Sequence, residues 1–254
     1  MAGLDWTAGL DPLVAASLLA ASFAGSFLTV ALGLGGGILL LAMMASLMPP
    51  AALIPVHGVI QLGSNGMRAA LFRRHMHWPV FGAFALGTAV GIGLGGAVAV
   101  QLPPALVQIG VGGFILWSLP GRPPRWLARW PWLTGGVASF LTMFFGATGP
   151  FVASYVRALG LSREGHTATH AMFMTLQHGL KVVAFVGLGF AYGPWMAFLA
   201  AMIVAGALGT LAGRQVLLKM SDRLFRRALT LVLALLALRL IWQGGAGLAA
   251  TGYL

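Results

Sequence analysis

A 254-residue chain that is 59% hydrophobic, 7% charged and free of cysteine is not a soluble domain, in which charged residues alone make up about a quarter of the chain, nor a disulfide or thiolate-metal scaffold. Its mean hydropathy of +0.92 makes lipid the solvent, with room for roughly ten crossing or half-crossing segments of about 20 residues or fewer. A net charge of +11 would suit nucleic acid, but the basic residues are confined to a few connectors, so they mark one face of a membrane and exclude that partner.

The first residues, Met1 to Pro12, carry Asp5 and Asp11 with no Lys or Arg before the first apolar run, which is not the pattern of a cleavable leader. Apolar segments follow at about 13–32, 38–48, 53–72, 78–100 and 105–119, and then at 131–145, 151–160, 167–190, 195–217 and 224–242. Pro49-Pro50, Pro103-Pro104, Pro120-Gly121 and Gly193-Pro194 break them. Arg73 and Arg74, the 122–129 cluster, Arg157 and Arg163, and the 214–227 group fall on one side. The connectors near 49–52, 101–104 and 190–194 and both chain ends lack Lys and Arg. Cytoplasmic loops are the Lys/Arg-rich ones, so both termini are expected outside, on the periplasmic or extracellular face.

The two sets of segments repeat one another. Ser26-Phe27-Leu28-Thr29, Gly33-Leu34-Gly35-Gly36-Gly37, Gly66, His57, Arg68 and Phe72 fall on Ser139-Phe140-Leu141-Thr142, Gly146-Ala147-Thr148-Gly149-Pro150, Gly179, His170, Lys181 and Phe185 when shifted by 113 positions. The expected fold is an all-α integral membrane protein of two five-segment repeats, 1–119 and 131–254, joined by an Arg/Pro linker at 120–130. An odd number of crossings per repeat inverts the second copy, the plan of many secondary transporters. Segments two and seven, about ten or eleven residues or roughly 16 Å as helix, are too short to span. The glycine turns ahead of them are therefore expected at depth, where irregular backbone survives only against protein or a cavity.

Those turns carry the first candidate chemistry. Gly33, Gly35, Gly36 and Gly37, and Gly146, Thr148 and Gly149, each precede a short helix whose free N–H groups and partial positive charge suit an anion. Two such starts entering from opposite faces would enclose it. The bland alternative is that the glycines only let helices pack closely. Along each following helix, His57 and Arg68 or His170 and Lys181 sit eleven residues apart, on one face and about 16 Å apart along the axis. Lys181 lies well inside its segment, and the four acids, Asp5, Asp11, Glu164 and Asp222, all lie at ends or loops. An unpaired intramembrane cation marks a substrate path. Arg68, one turn from Arg73, has the alternative of snorkelling to the surface. Ser26, Thr29, Thr142, Gln61 and Asn65 are candidate hydrogen-bonding groups for the substrate. His57, His170 and His178 are candidate gates or proton carriers, with packing histidines as the plainer reading. No cofactor or metal site is expected; His75 and His77, beside Arg73 and Arg74 without a carboxylate partner, read as interfacial residues.

With the two glycine turns, the Arg-bearing linker and the two-unit length in hand, the chain resembles the TauE/SafE family of sulfite exporters and sulfonate permeases over nearly its whole length. The resemblance implies a multi-pass protein of the bacterial inner membrane that moves sulfite or related sulfur anions, with the two glycine turns as substrate-lining backbone. One departure is that family members often carry a proline soon after the first turn, whereas Gly37 leads into Ile38 to Leu41 and the first prolines are Pro49-Pro50. The first short helix is thus expected to start differently. The expected function is a secondary transporter, in the direction of export, for a small sulfur oxyanion by alternating access. The alternative is an anion channel or a uniporter for another small anion; a homodimer is a possible assembly. An intramembrane enzyme is disfavoured because the segments hold no acid for general acid-base work.

Overall fold

The computed structural model describes residues 6–32, 35–99, 103–118, 129–146, 148–216 and 222–250. Gly33, the linker up to residue 128 and Lys219 lie outside them. Ten α-helices and no strand are found among the described residues: α1 (Pro12–Leu32), α2 (Gly36–Leu47), α3 (Pro50–Leu71), α4 (Phe81–Ala99), α5 (Pro104–Ser118), α6 (Pro131–Phe145), α7 (Gly149–Ala158), α8 (Arg163–Gly187), α9 (Met196–Val216) and α10 (Asp222–Ala250). One helix stands on each predicted segment. The largest difference is α10, which continues to Ala250 where the expectation ended at 242; Gly244 and Gly245 do not stop it, because Gly244 packs on Ala105 and Ile109 of α5.

Stretches within α1, α4 and α9 are long and apolar enough to cross a membrane. Two further long helices, α3 and α8, reach about 33 and 38 Å at 1.5 Å per residue, but one face of each is polar: Gln61, Ser64, Asn65 and Arg68 on α3, and Gln177, His178 and Lys181 on α8, are all buried. A polar stripe in a lipid-solvated protein has to turn inward, which is why α3 and α8 pack on each other at the centre. They run antiparallel, with Gly58 against Lys181, Gly179 against Leu62 and Gly66 nearest Thr175.

Around this pair the two halves of the chain interlock. The most extensive packing is of α4 on α6, α1 on α9, α5 on α10 and α3 on α8. Exchanging each helix of the first half for its counterpart in the second turns α1 on α9 into α6 on α4 and leaves the other two pairs unchanged. Close approach comes from glycine. Gly87, Gly91 and Gly95 face Trp132, Gly136, Phe140 and Met143 across α4 and α6, and Gly209 and Gly213 face Phe23 and Phe27 across α9 and α1. This is how helices associate where lipid removes any hydrophobic drive between them. One apolar core joins α1, α2, α3, α5, α9 and α10, a second joins α4 to α8, so each core takes helices from both halves.

The two ends of the molecule differ in charge. Gly165 at the start of α8 lies against the His75 carbonyl, and the His77 N–H donates to Thr169 Oγ1 at 3.0 Å, which brings the Arg73-Arg74 and Arg163 connectors together. At the other end the Tyr192 hydroxyl donates to the Pro55 carbonyl in the second turn of α3 at 3.5 Å, tying the Lys- and Arg-free connector before α9 to the start of α3.

Candidate functional site

The site grows from the two short helices. At about 18 and 15 Å, α2 and α7 begin inside the bundle and leave toward opposite ends, α2 toward Pro49 and α7 toward the connector beside His75. Each helix starts earlier than expected: Gly36, Gly37, Gly149 and Pro150 form first turns and do not precede them. Gly35 caps α2 with φ 101°, and Gly146 ends α6 with φ 77°, both in the region that glycine enters without steric cost. The two starts differ from each other. Thr148 caps α7 with φ −89°, followed by Pro150 in the first turn.

Both starts line one small cavity of about 50 Å³, formed by Thr29, Gly35, Gly37 and Ile38, by His57, Gln61, Asn65 and Arg68 of α3, by Gly149 and Pro150, and by His170, Met174 and His178 of α8. A water needs about 10–15 Å³ of such space, so the volume suits a few waters or one small polyatomic ion. A helix start leaves N–H groups without a partner in the helix; at α7 few remain, since Pro150 carries no N–H and Phe151 donates to the Thr148 carbonyl at 3.0 Å, so α2 contributes most of the free backbone donors.

Histidines fasten the two starts. His57 Nε2 donates to the Gly37 carbonyl at 3.2 Å and His170 Nε2 to the Gly149 carbonyl at 3.2 Å. With its Nε2 proton so placed, His57 Nδ1 keeps a lone pair, and that atom is buried without a partner. The Gln61 amide nitrogen lies 3.2 Å from His57 Nε2. Asn65 Nδ2 donates to Gln61 Oε1 at 3.1 Å, and Arg68 Nη1 donates to Asn65 Oδ1 at 3.1 Å. A chain of side chains on one face of α3 thus runs from the start of α2 to Arg68.

Arg68 is 3% exposed, which settles the alternative of snorkelling against it. Its Nη2 donates to Ser64 Oγ at 3.4 Å, while its Nε is buried and unpartnered. No acid lines the cavity among the described residues; Asp11 caps α1, Glu164 lies in the first turn of α8 and Asp222 starts α10. An arginine is always charged, so a fixed cation stands in a pocket that offers it only neutral partners.

Several expected residues act one step back. Ser26 hydrogen-bonds Ser64 at 3.1 Å and Ser139 accepts from Gln177 Nε2 at 3.0 Å, the same bond repeated 113 positions on. Thr142 donates to the Gly146 carbonyl and Thr148 to Gln177 Oε1. Gly36 is packed against the Gly25 carbonyl, and Gly146 against Leu41 and Ile54. Lys181 is fully buried with Nζ unpartnered, but does not line the cavity; it lies against Gly58, next to His57, and one turn after His178 on α8. Ile38 and Met174 were not foreseen as lining. Met174 stands where the repeat would put the counterpart of Gln61, and nothing in its identity signals a site.

The family model for "Sulfite exporter TauE/SafE" matches residues 18–240, from within α1 to within α10. No curated protein and no solved structure matches the chain.

Proposed function

The chain belongs to the sulfite exporter TauE/SafE family, and from that premise we propose that it is a secondary transporter of a small sulfur oxyanion, sulfite or a short organosulfonate, working as an exporter in the bacterial inner membrane by alternating access. A single observation carries this reading: two helix starts from opposite ends of the molecule share one cavity with Arg68, and no acid lines it among the described residues. The partial positive charge of each helix start and the guanidinium fork, which matches planar or pyramidal oxyanions with paired donors, call for a negative occupant. The antiparallel α3–α8 pair and the exchange symmetry of the helix packing support two inverted halves, whose rocking would open the cavity alternately to each side.

The test combines binding and flux. Sulfite and short sulfonates are expected to raise the melting temperature of the purified protein, by about 2.7 kcal/mol of stabilisation at a hundredfold excess over Kd, and to saturate a vesicle flux. Equal stabilisation by chloride, nitrate and phosphate, or no sulfite flux, would overturn the assignment. Flux that does not saturate would favour a channel.

A further inference from the structure

The repeat places two cations at equivalent positions, Arg68 and Lys181, and the structure treats them differently. Arg68 lines the cavity with two hydrogen-bonded partners. Lys181 sits outside it, fully buried, with no acceptor for its ammonium. Gly58 leaves the room it occupies, since a Cβ there would lie 2.9 Å from Lys181 Cε. The neighbours of Lys181 on the cavity side are His57, next in sequence to Gly58, and His178, one turn before it on α8; both line the cavity, their rings meet edge to face at 6.1 Å, and their Nδ1 atoms are buried and unpartnered. These two histidines are the titratable groups in charge interaction with Lys181. Of the other elements packed on α8, α4 and α6 contain no titratable residue, α7 brings Tyr155 and Arg157, the latter interacting with His166 near the far end of α8, and the short helix Arg73–His75 brings Arg73, Arg74 and His75 to that same end.

We propose that Lys181 is the proton carrier of the transport cycle, taking up one proton each time an anion enters the cavity beside Arg68 and releasing it when the anion leaves. Arginine cannot give up its charge in a protein, and lysine can; a buried charge without a counter-charge discharges instead of persisting. In the empty state Lys181 is a neutral amine. When a monoanion arrives, a proton from water adds to the Nζ lone pair by way of His57 and His178, the titratable residues that line the cavity beside Lys181. The loaded site then holds Arg⁺, Lys⁺ and the anion, and the empty site Arg⁺ alone. The buried charge is the same in both, so each form reorients across the bilayer without a difference in charging cost. The proton is thereby the co-substrate, moving in the same direction as the anion. This inference rests on the anion reading above.

Sulfite binding measured calorimetrically in two buffers of different ionisation enthalpy counts the protons taken up. Wild type is expected to take up one more proton per sulfite than Lys181→Met, which is permanently neutral, and than Lys181→Arg, which is permanently charged; either variant that folds decides. In vesicles the ratio of protons to sulfite moved should fall by one in the same variants. No proton uptake by wild type, or equal uptake by wild type and the folded variant, overturns the assignment of Lys181. Failure of wild type to bind or move sulfite at all would instead sink the anion reading, so the two failures are distinct.

Discussion

Arg68 is held by its Nη1 and Nη2 to Asn65 and Ser64, so its fork is already oriented before any anion arrives. Hydrogen bonds to a charged group contribute about 1.5–3 kcal/mol each. Arg68→Met is therefore expected to weaken sulfite binding by about 10- to 100-fold, with Arg68→Lys between it and wild type because charge remains while the fork is lost. A sulfite titration followed by thermal stability reads this, and an unchanged midpoint would move the anion away from Arg68. The sequence brought Arg68 and Lys181 to notice as a pair but ranked them in the wrong order for contact. Depth along the segment favoured Lys181, while Arg68 was only a turn from Arg73. Which of them meets the cavity depends on the rotation of α3 and α8 about their axes. That rotation is set by non-local packing, Gly58 on Lys181 and Gly63 on Ile203 of α9, and leaves no trace in local spacing.

For the helices, legibility was better. Shifted by 113 positions, the end of α1 and the starts of α2 and α3 fall on the end of α6 and the starts of α7 and α8, because breakers and glycine turns repeat with the helices they bound. What spacing could not supply was the position of the glycines relative to the first turn. Gly36 is inside α2 because its backbone lies directly on that of Gly25 in α1; a Cβ on Gly36 would run into the Gly25 carbonyl and Thr29 Oγ1. Backbone cannot yield as a side-chain tip can, so Gly36→Ala has to push α2 off α1 and carry the cavity-lining Gly35 and Gly37 with it. The expected result is a loss of stability of about 1–3 kcal/mol, the cost of overpacking, together with loss of the sulfite-induced thermal shift. Gly66→Ala is the counter-experiment. Its Cβ would find only Thr175 Cγ2 at 3.9 Å, so helix propensity should prevail and the protein gain roughly 0.5–1 kcal/mol. Equal behaviour of the two variants in a thermal melt would refute the close-approach role of Gly36.

Across the whole molecule, the charge pattern and the packing make one statement about the membrane. Arg73, Arg74 and Arg163 meet at one end, where Gly165 touches the His75 carbonyl, and the Lys/Arg-free connector around Tyr192 meets the start of α3 at the other. The order of α2 and α7 follows from this, since each runs from the shared cavity to a different end, and a carrier built on them has to be entered from both. Under positive-inside insertion the His75 end is expected in the cytoplasm. Because the chain has no cysteine, one introduced thiol reports one position without background. His75 and Ala51 are both exposed, so substitution there disturbs little packing. In intact cells a membrane-impermeant maleimide is expected to label Ala51→Cys and to label His75→Cys only after permeabilisation. The reversed pattern would turn the molecule over, exchanging entry for exit in the proposed export. Labelling of both from outside would contradict a bundle that separates its two ends across the bilayer, and with it the alternating exposure of the cavity between α2 and α7.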